Sequence, residues 1–67
     1  MKVYDILKLT ESGTVVTIWD GINNGFLVRP TYLNNHTIAN EFKPYMDSEV
    51  ISINTSNADD DIELVVR

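Results

Sequence analysis

Thr14-Val15-Val16-Thr17-Ile18-Trp19 is β-branched up to its closing aromatic, and Asp20-Gly21-Ile22-Asn23-Asn24-Gly25 and Phe26-Leu27-Val28-Arg29 follow it. A β-branched run crowds a helix and suits a pleated surface, so the first segment reads as a strand. The second holds two turn dipeptides, Asp-Gly and Asn-Gly, and the third is the returning strand. Asn-Gly is the stronger signal for a two-residue loop because both residues tolerate positive φ. With Asn24-Gly25 as that loop, Asn23 pairs with Phe26, Ile22 with Leu27 and Asp20 with Arg29, which sets opposite charges across the hairpin. Pro30 donates nothing to a ladder and marks a strand end or a sheet edge.

Working outward, Val3, Ile6, Leu7 and Thr10 recur at helical spacing, Leu9 broadens that face, and Gly13 stands where a helix cap would fall. A short helix over about 3–11 is expected. A strand is the competing reading, since Val3, Leu7 and Leu9 share one parity and Glu11-Ser12-Gly13 suits a three-residue hairpin loop. Downstream, Leu33 to Lys43 reads as a second helix capped by Asn34 or Asn35, with Ile38 and Phe42 as its inward pair and Pro44 as its stop. Two further strands are expected over about 49–54 and 61–66. In the latter, Ile62, Leu64 and Val66 alternate with Glu63 and Val65. The polar run from Thr55 to Asp61 between them reads as a solvated turn.

The order α-β-β-α-β-β with two hairpins predicts an α+β fold. Its four-stranded antiparallel sheet carries the helices on one face and leaves the other at least partly open. Val15 and Trp19 have the parity opposite to Val16 and Ile18. An apolar outer face on so short a chain points to a partner or a second subunit. At 67 residues, 43% of them hydrophobic and 22% charged, the chain fits a single small domain over 1–67 and has no room for a second core.

Ten Asp and Glu against five Lys and Arg give a net charge of −5. Phosphate backbones are held by clustered cations, whereas Lys2, Lys8, Arg29, Lys43 and Arg67 are scattered, so nucleic-acid binding is disfavoured and a partner with a basic surface is favoured. No cysteine is present, which removes thiolate chemistry and Cys-based zinc sites. The sequence has no run of signal-peptide or membrane-spanning length, so a cytoplasmic protein without membrane association is expected.

Candidate chemistry is sparse. His36 is the sole histidine and reads as an exposed first-turn helix residue, because neither a triad nor a multi-His metal site can be assembled from it in one chain. Asp59-Asp60-Asp61 lacks the spacing and central glycine of a calcium loop. It reads first as a solvated turn and second as a surface for a basic partner. Gly13, Gly21 and Gly25 are isolated turn glycines, not a phosphate cradle. The expectation is a non-enzyme with no catalytic residues, cofactor or metal. Its partner-binding residues are Trp19, the aromatic most suited to an interface hot spot, with Tyr32, Asp59, Asp60 and Asp61.

Lys2-Val3-Tyr4-Asp5-Ile6-Leu7, Gly13 to Asp20 and Tyr45-Met46-Asp47-Ser48-Glu49-Val50-Ile51-Ser52-Ile53 together set a hydrophobic rhythm. It is similar to that of small uncharacterised proteins carried by phages and mobile elements of Firmicutes. The resemblance covers nearly the whole chain and carries no catalytic signature. It implies a host-interaction or accessory protein, the class from which acidic anti-CRISPR inhibitors have come, with a host protein such as a CRISPR effector as partner. Separately, the apolar outer face leads to the expectation of a homo-oligomer, a homodimer formed through the sheet. No inhibitor motif maps onto particular residues here. Two other readings remain: a small oligomeric nucleic-acid-binding or nicking protein that pools its few cations in one groove, and a virion or assembly accessory domain.

Overall fold

The computed structural model describes residues 1–55 and 61–67. Helix α1 (Val3–Leu7) leads into strands β1 (Val15–Asp20) and β2 (Gly25–Tyr32). Helix α2 (Asn35–Ala39) and a 3-10 turn (Lys43–Tyr45) then precede β3 (Val50–Thr55) and β4 (Asp61–Val66). The chain order differs from the expected one by that 3-10 turn.

The four strands form one sheet in the order β2-β1-β4-β3. Here the antiparallel expectation is corrected: the sheet is mixed, because β1 and β4 pair in parallel from Val15↔Asp61 to Asp20↔Val66, while each hairpin stays antiparallel. The composition of the strands accounts for this arrangement. β1 and β4 are the richest in large apolar residues and take the two interior positions, where parallel pairs are normally buried. β2 contains Pro30 and is consigned to an edge.

The first hairpin also departs from expectation. Its loop is four residues long, with Asp20 opposite Gly25 and Trp19 opposite Phe26, so Asp20 does not face Arg29. Its carboxylate instead accepts hydrogen bonds from the Ile22 N–H (2.8 Å) and the Asn23 side-chain amide (2.9 Å). Those bonds hold its pKa below the ordinary 3.8, the Ile22 bond contributing most. The left-handed residue is Asn24, at φ 55°. Gly21 serves close approach instead: its N–H donates to the Val66 carbonyl at 2.7 Å, and an added Cβ would lie 2.8 Å from that same oxygen.

Both helices are shorter than their apolar spacing suggests. α1 ends at Leu7, Leu9 is 83% exposed, and Gly13 (φ 95°) donates to the Leu33 carbonyl, tying the loop to the end of β2 instead of capping the helix. Asn34 caps α2 by accepting from the Thr37 N–H at 2.9 Å. Asn40 then takes the His36 carbonyl with its side-chain amide at 2.6 Å and ends the helix. Pro44 sits inside the 3-10 turn and does not end the preceding helix.

Val3 and Leu7 of α1, Val16 and Ile18 of β1, Val28, Leu33, Phe42, and Leu64 and Val66 of β4 form one buried cluster. The alternate residues of β1 and β4 face the other way. The core residues outside the sheet therefore lie on one side of it, and among the described residues no element covers the opposite side.

Candidate functional site: the open face of the sheet

Register fixes which side chains share the open face, because directly paired residues point to the same side. One row across the sheet is Phe26, Trp19, Val65 and Ser52. The next is Thr17, Glu63 and Asn54. A third runs Tyr32, Val15 and Asp61. The face thus grades from an aromatic, apolar end near the first hairpin loop to a polar end with two carboxylates.

At the apolar end the rings of Trp19 and Phe26 stack with centroids 4.1 Å apart and planes inclined by 30°, a geometry worth about 0.5–1.5 kcal/mol beyond area burial. The Arg29 guanidinium lies 5.2 Å from the Phe26 centroid. Trp19 is half-buried, whereas Phe26 and Ile51 are 43% and 50% exposed. Stacked rings open to water, with aliphatic neighbours, are the kind of surface that protein partners cover.

At the polar end Thr17, Pro30, Asn54, Thr55, Asp61 and Glu63 enclose a recess of about 230 Å³ that reaches across all four strands. Thr17 forms its floor and is only 5% exposed. Asp61 and Glu63 are half-buried. Among the described residues neither forms an ion pair, whereas Asp5 lies 3.8 Å from Lys8, Asp47 is 3.9 Å from Lys2, and Glu49 is 2.9 Å from the N-terminal amine. The Lys2 N–H donates to Asp5 at 2.9 Å and lowers its pKa, with Lys8 adding to the effect. Pro30 and the threonine methyls supply apolar wall, and the carboxylates and the Asn54 amide supply acceptors. A long basic side chain has the matching form, an aliphatic stem with a charged head. Among the described residues no three or more of His, Asp and Glu converge as a metal site would.

Of the residues singled out by sequence, Trp19, Tyr32 and Asp61 lie on this one face, with Tyr32 and Asp61 flanking Val15 in the same row. Asp59 and Asp60 lie outside the described residues. His36 is exposed on α2, as expected, its ring nitrogen 3.5 Å from the Asn40 amide. Phe26, Glu63, Thr17 and Ile51 were not singled out. Glu63 shares the parity of Asp61, a signal present in the alternation of β4, whereas the meeting of Phe26 with Trp19 depends on the four-residue loop.

Compared with protein-family models, curated proteins and solved structures, the chain matches none. Among the described residues no helix is long and apolar enough to cross a membrane.

Proposed function

We propose that this chain is a non-enzymatic binding protein that receives a partner protein with a basic surface on the open face of its sheet. The observation that supports this reading is one of juxtaposition. Trp19 stacked on Phe26 adjoins a recess flanked by Asp61 and Glu63, on a face that no element of the described chain covers. The aromatic pair supplies an apolar anchor. The recess accepts a lysine or arginine side chain from the partner, and the net charge of −5 steers that partner inward.

The scattered cations favour a protein partner over nucleic acid: Lys2 and Lys8 are engaged with Asp47 and Asp5, and Arg29 rests on Phe26. The resemblance to phage and mobile-element accessory proteins adds the narrower form, a host protein as partner, of which a CRISPR effector is the sharpest case.

The test is affinity capture from a nuclease-treated bacterial lysate with three chains: wild type, a Phe26→Ser/Glu63→Lys variant of the open face, and a Tyr4→Ser/Leu9→Ser variant of the helical side. The expected result is a specific protein retained by the wild type and the helical-side variant and lost by the open-face variant. Retention by the open-face variant, or capture only of nucleic acid before nuclease treatment, would overturn the reading.

A further inference from the structure

The two edges of the sheet are guarded differently. β2 closes one side, and its pairing with β1 is interrupted by register shifts on both sides of Ile18. It also carries Pro30 and the charge of Arg29, and Glu41, Pro44 and Tyr45 line a groove beside it. Bulges, proline and charge are the usual means of keeping an edge from pairing.

β3 closes the other side as Val50-Ile51-Ser52-Ile53-Asn54-Thr55, with neither proline nor charge. Every residue after Val50 is exposed, Ile51 at 50% and Ile53 at 47%. The N-terminus covers only the start of this edge. The Val50 N–H donates to the Met1 carbonyl at 2.8 Å, and Lys2 bridges to Glu49. From Ile51 to Thr55 the strand pairs with β4 alone among the described residues.

We infer that this edge pairs with β3 of a second copy of the chain, antiparallel and with Ile53 on the two-fold axis, to give a continuous eight-stranded sheet. A two-fold interface brings the same surface to itself. For a chain of net charge −5, an uncharged strand is a surface that meets its own copy without like charges opposed. The register follows from the faces. Ile53 pairs with Leu64 and so points to the helix-covered side, where it meets Ile53 of the second copy and closes the exposed rim of the core. Ser52 and Asn54 pair with Val65 and Glu63 on the open side, where each faces the other's counterpart and both can hydrogen-bond. Such a dimer sets two open faces side by side in one plane.

The inference does not rest on the docking reading, and its test uses the purified chain alone. Light scattering behind size exclusion follows the mass of the wild type from micromolar to millimolar concentration, where it is expected to rise from 7.6 kDa to twice that value. The Ile53→Lys and Asn54→Lys variants, checked for folding by circular dichroism, are expected to raise the dimer Kd about tenfold or more. Because the chain has no cysteine, Ile53→Cys supplies a single thiol. Directly opposed residues stand about 4.5–5.5 Å apart between Cα atoms, within disulfide reach, so mild oxidation is expected to cross-link Ile53→Cys and to leave Tyr32→Cys on the β2 edge monomeric. A monomer at every concentration would overturn the inference. So would a dimer that survives both lysine variants in folded form, or one that cross-links through the β2 edge.

Discussion

The two faces of the sheet are built from alternate residues of the same strands, yet they differ in burial and in chemistry. On the covered face Val16, Ile18, Leu64 and Val66 meet Val3, Leu7 and Phe42 with almost no exposure. On the open face, one residue along, Trp19 and Val65 stand in line with Phe26, and Glu63 stands between Thr17 and Asn54. The covered face needs only volume and the right period, and it is satisfied within the chain. The open face combines stacked rings with half-buried carboxylates. On the proposed reading, stability concentrates on the covered side of the sheet and partner binding on the open side, and substitutions should separate along that line.

The largest effect is expected where the covered face is emptied. Phe42→Ala removes a fully buried ring and should cost about 3–5 kcal/mol, the usual range for truncating a buried aromatic. Denaturant unfolding measures it, and a loss below about 1 kcal/mol would mean that Phe42 does not anchor the core. Gly21→Ala comes next: its Cβ would press on the Val66 carbonyl and the Ile51 side chain, for an expected loss of about 1–3 kcal/mol, typical of overpacking.

A smaller stability effect sharpens the contrast. Phe26→Ala on the open face should cost less than Phe42→Ala. A double-mutant cycle with Trp19→Ala should return a coupling of about 0.5–1.5 kcal/mol from the stacked rings. If Phe26→Ala matched Phe42→Ala, the open face would be part of the core and the division between the faces would fail.

The smallest effect concerns pH. Asp5 and Asp20 both have pKa values lowered below 3.8 by hydrogen bonds to their carboxylates, from the Lys2 N–H and from the Ile22 N–H with the Asn23 side chain. A carboxyl with a folded pKa below its unfolded one contributes stability that is fully present above the unfolded value and is lost as pH falls through the folded one. The wild type should therefore lose stability as pH drops below 3.8, and Asp20→Asn should flatten that slope without changing the fold. An identical acid profile in the variant would remove Asp20 as a contributor.

Much of this arrangement is legible in the sequence because it is local. The β-branched run of β1, the alternation of β4, the Asn34 cap and the opposite parities of Trp19 and Ile18 each follow from neighbours in the chain. The parallel pairing of β1 with β4 does not, since nothing within either strand states which strand lies beside it. Loop length was obscured by two competing turn dipeptides, and the carboxylate of Asp20, by holding the Ile22 and Asn23 amides, favours the longer loop. Apolar spacing overstated both helices: Leu9 points to water, and the side chain of Asn40 ends α2 before Phe42, which reaches the core from outside the helix. At the site, Trp19, Tyr32 and Asp61 could be read as surface residues. Their gathering with Phe26 and Glu63 required the register of the whole sheet.

Trp19 is the only tryptophan and lies in the open face, so it reports directly on the central claim. The chain would be labelled with 5-fluorotryptophan, and its single 19F resonance followed while the protein captured from lysate is added, with complex formation monitored in parallel by size exclusion. The account predicts that the resonance shifts or broadens in step with complex formation, and that Glu63→Lys weakens both. A complex that forms fully while the Trp19 resonance stays unchanged would place the partner elsewhere and contradict it.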